Sequence, residues 1–354
     1  MDSLLLIQVQ SQLAQPAPQQ QRTAPSVNPA ISVIGDFRTS YQDNRRRHFN
    51  ANLAETEFSF QSVIDPYAKA DFYYSVSRDE TTGEFKGEIE EGYVTTLALP
   101  AHLQLKAGKF KQQLGRLNIM HPHALPFIDV PNANARFFGN DGLNDEGFSL
   151  SWLLPNRAFF QELTFELTDG PRDNPSFERS TNNHYLSLGH LKNFWDLTAN
   201  ATLEFGLSGV AGVNSTDHST RIAAADLTYK WKPVRLNTYK SLTFQNEFYY
   251  SQAKFDSTSV DAVGFYSLLS WQVARRWFIT GRYDYTNKPN DAAFIEQAGS
   301  ATVGWYATEF QKIELEGKYT LANMEDAENN FKKQFTQVFL RWIFVIGSHG
   351  AHQY

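Results

Sequence analysis

From Ile31 to Ile346, apolar side chains recur at every second position in segments of about ten residues, and this repeat constrains the fold more than any other feature of the chain. Ala68, Ala70, Phe72, Tyr74 and Val76 form one such row, and Val338, Leu340, Trp342, Phe344 and Ile346 form the last. A period of two places alternate side chains on opposite faces of a strand, so each segment reads as a strand with one apolar face. About sixteen such segments follow one another. Their other faces carry charges that a packed core would not accept: Glu55, Glu57, Lys69, Asp71, Glu90, Glu166, Glu247, Arg282, Lys312, Glu314, Glu316, Lys318 and Arg341. Strands apolar on one side and charged on the other suit a closed sheet with lipid outside and water inside. The expectation is all-β: a transmembrane antiparallel β-barrel of about 16 strands, with short periplasmic turns and longer external loops.

The connections and the aromatics support this reading independently. Short links such as "DPY" at 65–67, "PAH" at 100–102 and "QVARR" at 272–276 alternate with long polar ones at 42–54, 78–87, 112–145, 169–184, 252–261, 286–297 and 322–334. All seven Trp fall toward the short-turn ends, and Tyr41, Tyr74, Tyr185, Tyr250, Tyr285 and Tyr319 fall toward the other. Two aromatic belts are what two membrane interfaces select. The core of a soluble β-sandwich would not sort them.

Several classes are excluded. No run approaches the roughly 18 apolar residues of a membrane-spanning helix. The absence of Cys removes disulfides, thiolate metal sites and thiol nucleophiles. A net charge of −6 without a basic stripe argues against a nucleic-acid partner. No nucleophile, base and orienting group share a recognisable motif, so no enzyme activity is expected. The domain reading is threefold: residues 1–29 as a degraded or clipped signal peptide or a disordered Pro/Gln-rich segment, 30–346 as an outer-membrane barrel, and 347–354 as a His-containing tail.

"LQLKAGKFKQQLGRLN", Leu103 to Asn118, resembles the Gly-Lys-Phe-Lys segment of the phosphate-selective porin O/P family of bacterial outer-membrane barrels. "NPAISVIGDF", "EIEEGYVT" and "GFSLSWLLP" also resemble barrel proteins grouped with that family. The resemblance implies a sixteen-stranded barrel in the outer membrane, commonly a homotrimer, whose third external loop folds into the lumen. Loop 112–145 occupies that position. Lys109 and Lys111 carry over from the motif, while Lys106, Arg116 and Arg136 are added as nearby cations expected to line the constriction. An anion filter needs several cations close together. Here no dense Arg/Lys ladder exists, and Glu88, Glu90 and Glu91 precede the motif. Passive diffusion of small hydrophilic solutes or ions is therefore the main expectation, with phosphate or other anions as its narrower form.

Two histidine pairs leave a second reading open. His121 and His123 share a face if the chain there is extended, Asp129 offers an oxygen, and His349 and His352 add a further pair in the tail. Neutral imidazoles bind zinc or copper, so a metal-binding or metal-responsive outer-membrane barrel is the alternative. A closed barrel whose external loops bind a partner is a third. Otherwise no cofactor is expected, and the partners are outer-membrane lipid and small solutes or ions.

Overall fold

The computed structural model describes residues 29–44, 48–78, 83–236, 239–325 and 332–347. The N-terminal segment 1–28 and the pair His349 and His352 lie outside the described residues.

Sixteen strands form one closed antiparallel barrel, each paired with its sequence neighbours, and the last closing on the first. In chain order they are β1 Ala30–Gln42, β2 Phe49–Asp65, β3 Ala68–Arg78, β4 Phe85–Thr96, β5 Leu103–Lys111, β6 Asn144–Leu153, β7 Phe160–Thr168 and β8 Leu186–Thr198. The second half comprises β9 Ala201–Val213, β10 Ser219–Trp231, β11 Ser241–Phe255, β12 Thr258–Ala274, β13 Trp277–Lys288, β14 Asp291–Thr308, β15 Gln311–Ala322 and β16 Gln334–Gly347. Closure runs from Ser32 opposite Gly347 to Gln42 opposite Gln337, so no sheet edge is left open.

The pattern of burial is inverted relative to a water-soluble sheet. In β15 the charged residues Lys312, Glu314, Glu316 and Lys318 are buried, with Glu316 at 0%, while Leu315 and Tyr319 are 52% and 47% exposed on the outer face. The same alternation holds around the barrel, where Leu150, Leu207, Leu269, Leu340 and Ile346 also face outward. Such a belt is stable when hydrocarbon covers it, because the barrel satisfies every ladder hydrogen bond internally. The Trp residues lie toward the short-turn ends, as expected. Trp277 and Trp305, for example, are register partners with ring centroids 6.2 Å apart.

Two of the expected long connections are absent. β11 and β12 pair as far as Phe255 opposite Thr258, and β13 and β14 reach Lys288 opposite Asp291, so the links at 256–257 and 289–290 have two residues each. The apolar alternation breaks down near these tips, where Gln252 and Lys254 face outward on β11 and Ala292 to Ile295 follow one another on β14, yet backbone pairing continues. Sequence periodicity ends a strand where its apolar belt ends, which is earlier than where its ladder ends.

Candidate functional site: the loop that crosses the lumen

The connection from β5 to β6, residues 112–143, folds into the barrel. Its entry and exit are clasped by Asn118, whose amide donates to the carbonyls of Gln112 (2.7 Å) and Leu143 (2.8 Å) and whose oxygen accepts from the Leu143 N–H (2.7 Å). Gly142, at φ +71°, passes so close that a Cβ there would lie 2.1 Å from Asn118 Oδ1. Three prolines suit the buried path, since each removes a backbone donor that would need a partner. Pro122 opens a single 3-10 turn, Pro122–Ala124, and Pro131 precedes the helix α1, Asn132–Phe138. The apolar side of α1 joins Ala133, Phe137 and Phe138 to Leu114, Leu143 and Tyr249 in a small core. A second core gathers Leu117, Leu125 and Phe127 against Tyr266 and Leu268 of the wall.

A loop away from water must satisfy its backbone groups, and here the charged inner wall does so. Glu91 accepts the Lys111 N–H, Glu166 the Gln113 N–H, and Glu316 the Ile128 N–H, at 3.0, 3.0 and 2.6 Å. One oxygen of Glu247 accepts from both Arg116 N–H (3.1 Å) and Leu117 N–H (2.7 Å), while Tyr249 and Tyr266 donate to the same carboxylate. Lys312 donates to the carbonyls of His123 and Leu125 at 3.1 and 3.0 Å. Arg341 donates to those of Pro122, Leu125 and Phe127. Carboxylates thus take the loop's donors, and cations take its acceptors.

The cations expected at the constriction are divided. Lys106 and Lys111 border one cavity of about 470 Å³ together with His121. The Lys106 ammonium lies over the Tyr93 ring, 4.5 Å from its centre. Arg116 borders a separate cavity of about 720 Å³ toward the short-turn end and pairs with Glu204 at 2.9 Å, whose other oxygen meets Lys192 at 3.3 Å. Arg136 stands elsewhere, against Glu296 at 2.7 Å and over the Phe294 ring. Lys109 departs from the expected lining: it faces Glu146 in the register beside the outward-facing pair Ala107 and Phe148, and its ammonium donates to the Ile89 carbonyl at 2.7 Å. Strand alternation alone puts Lys109 on the opposite face from Lys106.

His121 and His123 are buried beside the β2–β4 wall, with ring centroids 5.6 Å apart. His121 Nδ1 lies 3.0 Å from Glu57 Oε2 and 3.2 Å from Glu90 Oε2, and its Nε2 lies 2.9 Å from Glu91 Oε1. A bulge in β4 makes this possible. Ile89 is opposite Tyr74 and Glu91 is opposite Tyr73, so Glu90 is the extra residue and two successive carboxylates reach one imidazole. Burial opposes charge on His121, but Glu57, Glu90 and Glu91 outweigh it and hold the imidazole pKa well above its ordinary value. Asp129, expected beside the histidines, is instead held by Arg282 at 2.7 Å and by Lys318. Arg282 and Lys318 lie on β13 and β15, and their charges hold Asp129 away from the imidazoles.

Sequence reasoning missed Glu204 and Glu296, the partners of Arg116 and Arg136. Glu204 was recoverable from the alternation Thr202, Glu204, Gly206, Ser208 along β9. Glu296 lies in a stretch that the sequence reads as a loop, because the apolar run Ala292 to Ile295 at the start of β14 hides its alternation.

The sequence matches no protein-family model. A protein of Aquifex aeolicus described as uncharacterized is 28% identical over 358 residues, covering 88% of this chain and 71% of its own length. Among solved structures, the barrel is similar to the anion-selective porin from Comamonas acidovorans (TM-score 0.59, 10% identity, 90% of this chain and 99% of that one). It is also similar to OmpT, an outer membrane protein of Vibrio cholerae (0.58, 8%, 90% and 98%), and to the outer membrane protein OpdK from Pseudomonas aeruginosa (0.55, 10%, 91% and 99%). At these identities the likeness speaks to architecture, and the chain has the sixteen-stranded barrel fold of outer-membrane porins.

Proposed function

We propose that the protein is an outer-membrane channel for passive diffusion of small hydrophilic solutes or ions, with the loop 112–143 as its constriction. The observation that carries this reading is the inner wall itself: its charged side chains hold the loop across the lumen and leave water-sized space beside it. The pathway we favour follows the β2–β5 wall through the cavity bordered by Lys106, Lys111 and His121. That cavity presents Lys69, Lys106 and Lys111 against Glu57, Asp71 and Glu91, with the charged imidazole of His121 beside them. So nearly balanced a lining supports weak ion preference rather than a phosphate filter, because field focusing depends on a large excess of one sign. Localisation in the outer membrane of a Gram-negative bacterium and assembly as a homotrimer belong to the same proposal; the trimer form known for OmpT supports the latter.

Planar-bilayer recording tests it. Folded protein that migrates differently before and after heating is expected to give discrete conductance steps and a small reversal potential in a salt gradient. Lys106→Glu is expected to move that potential toward cation preference. Folded protein without any conductance steps would sink the proposal.

A further inference from the structure

We infer that Glu57, Glu90, His121 and His123 form a binding site for a first-row divalent cation, with zinc the ion that their donor atoms suit best. The inference stands apart from conduction, since it rests on the geometry of one corner of the lumen and is read out by binding.

Three observations converge on it. The donor atoms of Glu57, Glu90 and His121 all lie within 4.8 Å of one another. The two contacts of His121 Nδ1, at 3.0 and 3.2 Å, are close to the roughly 3.3–3.5 Å edges of a tetrahedron whose ligands stand about 2.0–2.2 Å from zinc. A shift of a few tenths of an ångström brings them into register. Next, His121 Nδ1, Glu57 Oε2 and Glu90 Oε2 are each buried without a hydrogen-bond partner, despite these short separations. Both carboxylate oxygens face the same ring nitrogen, which has a single proton to share between them. A cation among the three atoms can bind both oxygens at once. Finally, the other ring nitrogen, Nε2, lies 2.9 Å from Glu91 Oε1. Donation from Nε2–H to Glu91 leaves the Nδ1 lone pair facing Glu57 and Glu90, which is the carboxylate–histidine–metal relay.

His123 stands outside that group of three, its Nδ1 3.5 Å from Glu57 Oε2, and would move inward to supply the fourth position. Two imidazoles and two carboxylates without sulfur favour zinc over cuprous copper, and over magnesium or calcium, which prefer all-oxygen shells. Glu57 and His121 both border the 470 Å³ cavity, which gives the ion an entry path. Bound there, it would join β2, β4 and the loop at a single point, and the proton of His121 would leave for solvent.

The test uses the full chain in detergent, stripped with a chelator and titrated calorimetrically with zinc chloride at neutral pH. One ion per chain is expected, with affinity reduced about tenfold to a hundredfold or more in Glu57→Gln/Glu90→Gln and unchanged in His349→Ala/His352→Ala. Absence of zinc binding by the folded protein, undiminished affinity in the glutamine variant, or loss of binding in the tail variant would each overturn the site. A measurement on the unaltered chain covers the case of a misfolded variant. Zinc is expected to protect His121 and His123, but not exposed His184, from carbethoxylation mapped by mass spectrometry. Equal modification with and without zinc contradicts the inference.

Discussion

The guanidinium of Arg341 donates to the Phe127 carbonyl at 2.8 Å, joining the closing strand of the barrel to the middle of the loop that crosses it. The same group reaches the carbonyls of Pro122 and Leu125 at 3.0 and 3.1 Å, and its Nε donates to Glu314 at 2.7 Å. Only arginine offers five donors in a planar fork that stays charged at any physiological pH. One wall residue thereby meets three loop acceptors at once.

Arg341→Met should leave the barrel able to close while freeing the loop. It strands the Phe127 carbonyl and leaves Glu314 to Lys312 alone, while the Pro122 and Leu125 carbonyls keep the Leu125 N–H and Lys312; breaking a buried pair from one side costs about 3–5 kcal/mol. We expect a lower melting temperature and new protease cleavage within 112–143 of the folded barrel. A variant as resistant as the parent would show that the apolar packing of Phe127 and Leu125 holds the loop alone.

Asn118→Ala removes the clasp between the loop's entry and exit. Three hydrogen bonds to backbone groups are lost; the Gln112 and Leu143 carbonyls keep the N–H groups of Leu114 and Gln112, but the Leu143 N–H is orphaned, at about 1–3 kcal/mol where water cannot replace the bond. Gly142→Ala should act on the same contact from the other side, because its positive φ and the 2.1 Å approach to Asn118 Oδ1 leave no room for a methyl group. Both variants are expected to melt earlier, and the double variant to lose less than the sum of the two. Strict additivity would argue that the two residues act separately.

The barrel was legible because each strand carries its own instruction. Leu315 and Tyr319 outside with Glu316 and Lys318 inside needs no partner to be read, and sixteen repeats of that pattern give strand number and topology together. The loop was legible only as a position. Strand parity separates Lys106 from Lys109 on sequence alone, but Lys111 shares the parity of Lys109 and still borders the cavity with Lys106, because the strand ends there. The reach of Arg341 to Phe127, or of Glu57 to His121, depends on how residues far apart in the chain meet across the lumen, and no periodicity encodes that. The bulge at Glu90 illustrates the limit. One extra residue turns two neighbouring carboxylates onto one imidazole, where simple alternation would have sent one of them to lipid.

Glu247 is the acceptor for four donors at once, two loop amides and two tyrosine hydroxyls. Glu247→Gln keeps the volume but replaces one acceptor oxygen by an NH2 group that meets other donors. The amides of Arg116 and Leu117 should then exchange with deuterium about tenfold to a hundredfold faster, since every 1.4 kcal/mol of lost protection is a factor of ten. Amides on β15, remote from Glu247 along the barrel wall, should exchange at parental rates. Uniform acceleration across the barrel would mean that Glu247 supports the wall rather than the loop.

Asp129 gives the loop a pH dependence whose sign can be worked out. Burial alone would raise its pKa, but Arg282 and Lys318 reverse that effect and hold the carboxyl well below the ordinary range. A group depressed in the folded state binds its proton more readily when unfolded, so it contributes stability above its unfolded pKa of about 3.9. That contribution falls away as the pH drops from there toward the folded pKa. Loop anchoring should therefore be flat from neutrality to about pH 5 and weaken in stronger acid. Asp129→Asn removes the charge at every pH and should cost stability at neutrality, the gap to the parent narrowing below about pH 4. Urea unfolding of both proteins across this range, followed by protease sensitivity of 112–143, makes the comparison. A gap that stays constant into acid would mean that Arg282 and Lys318 hold the loop through Asn132 and the Asp129 carbonyl, without the carboxylate charge.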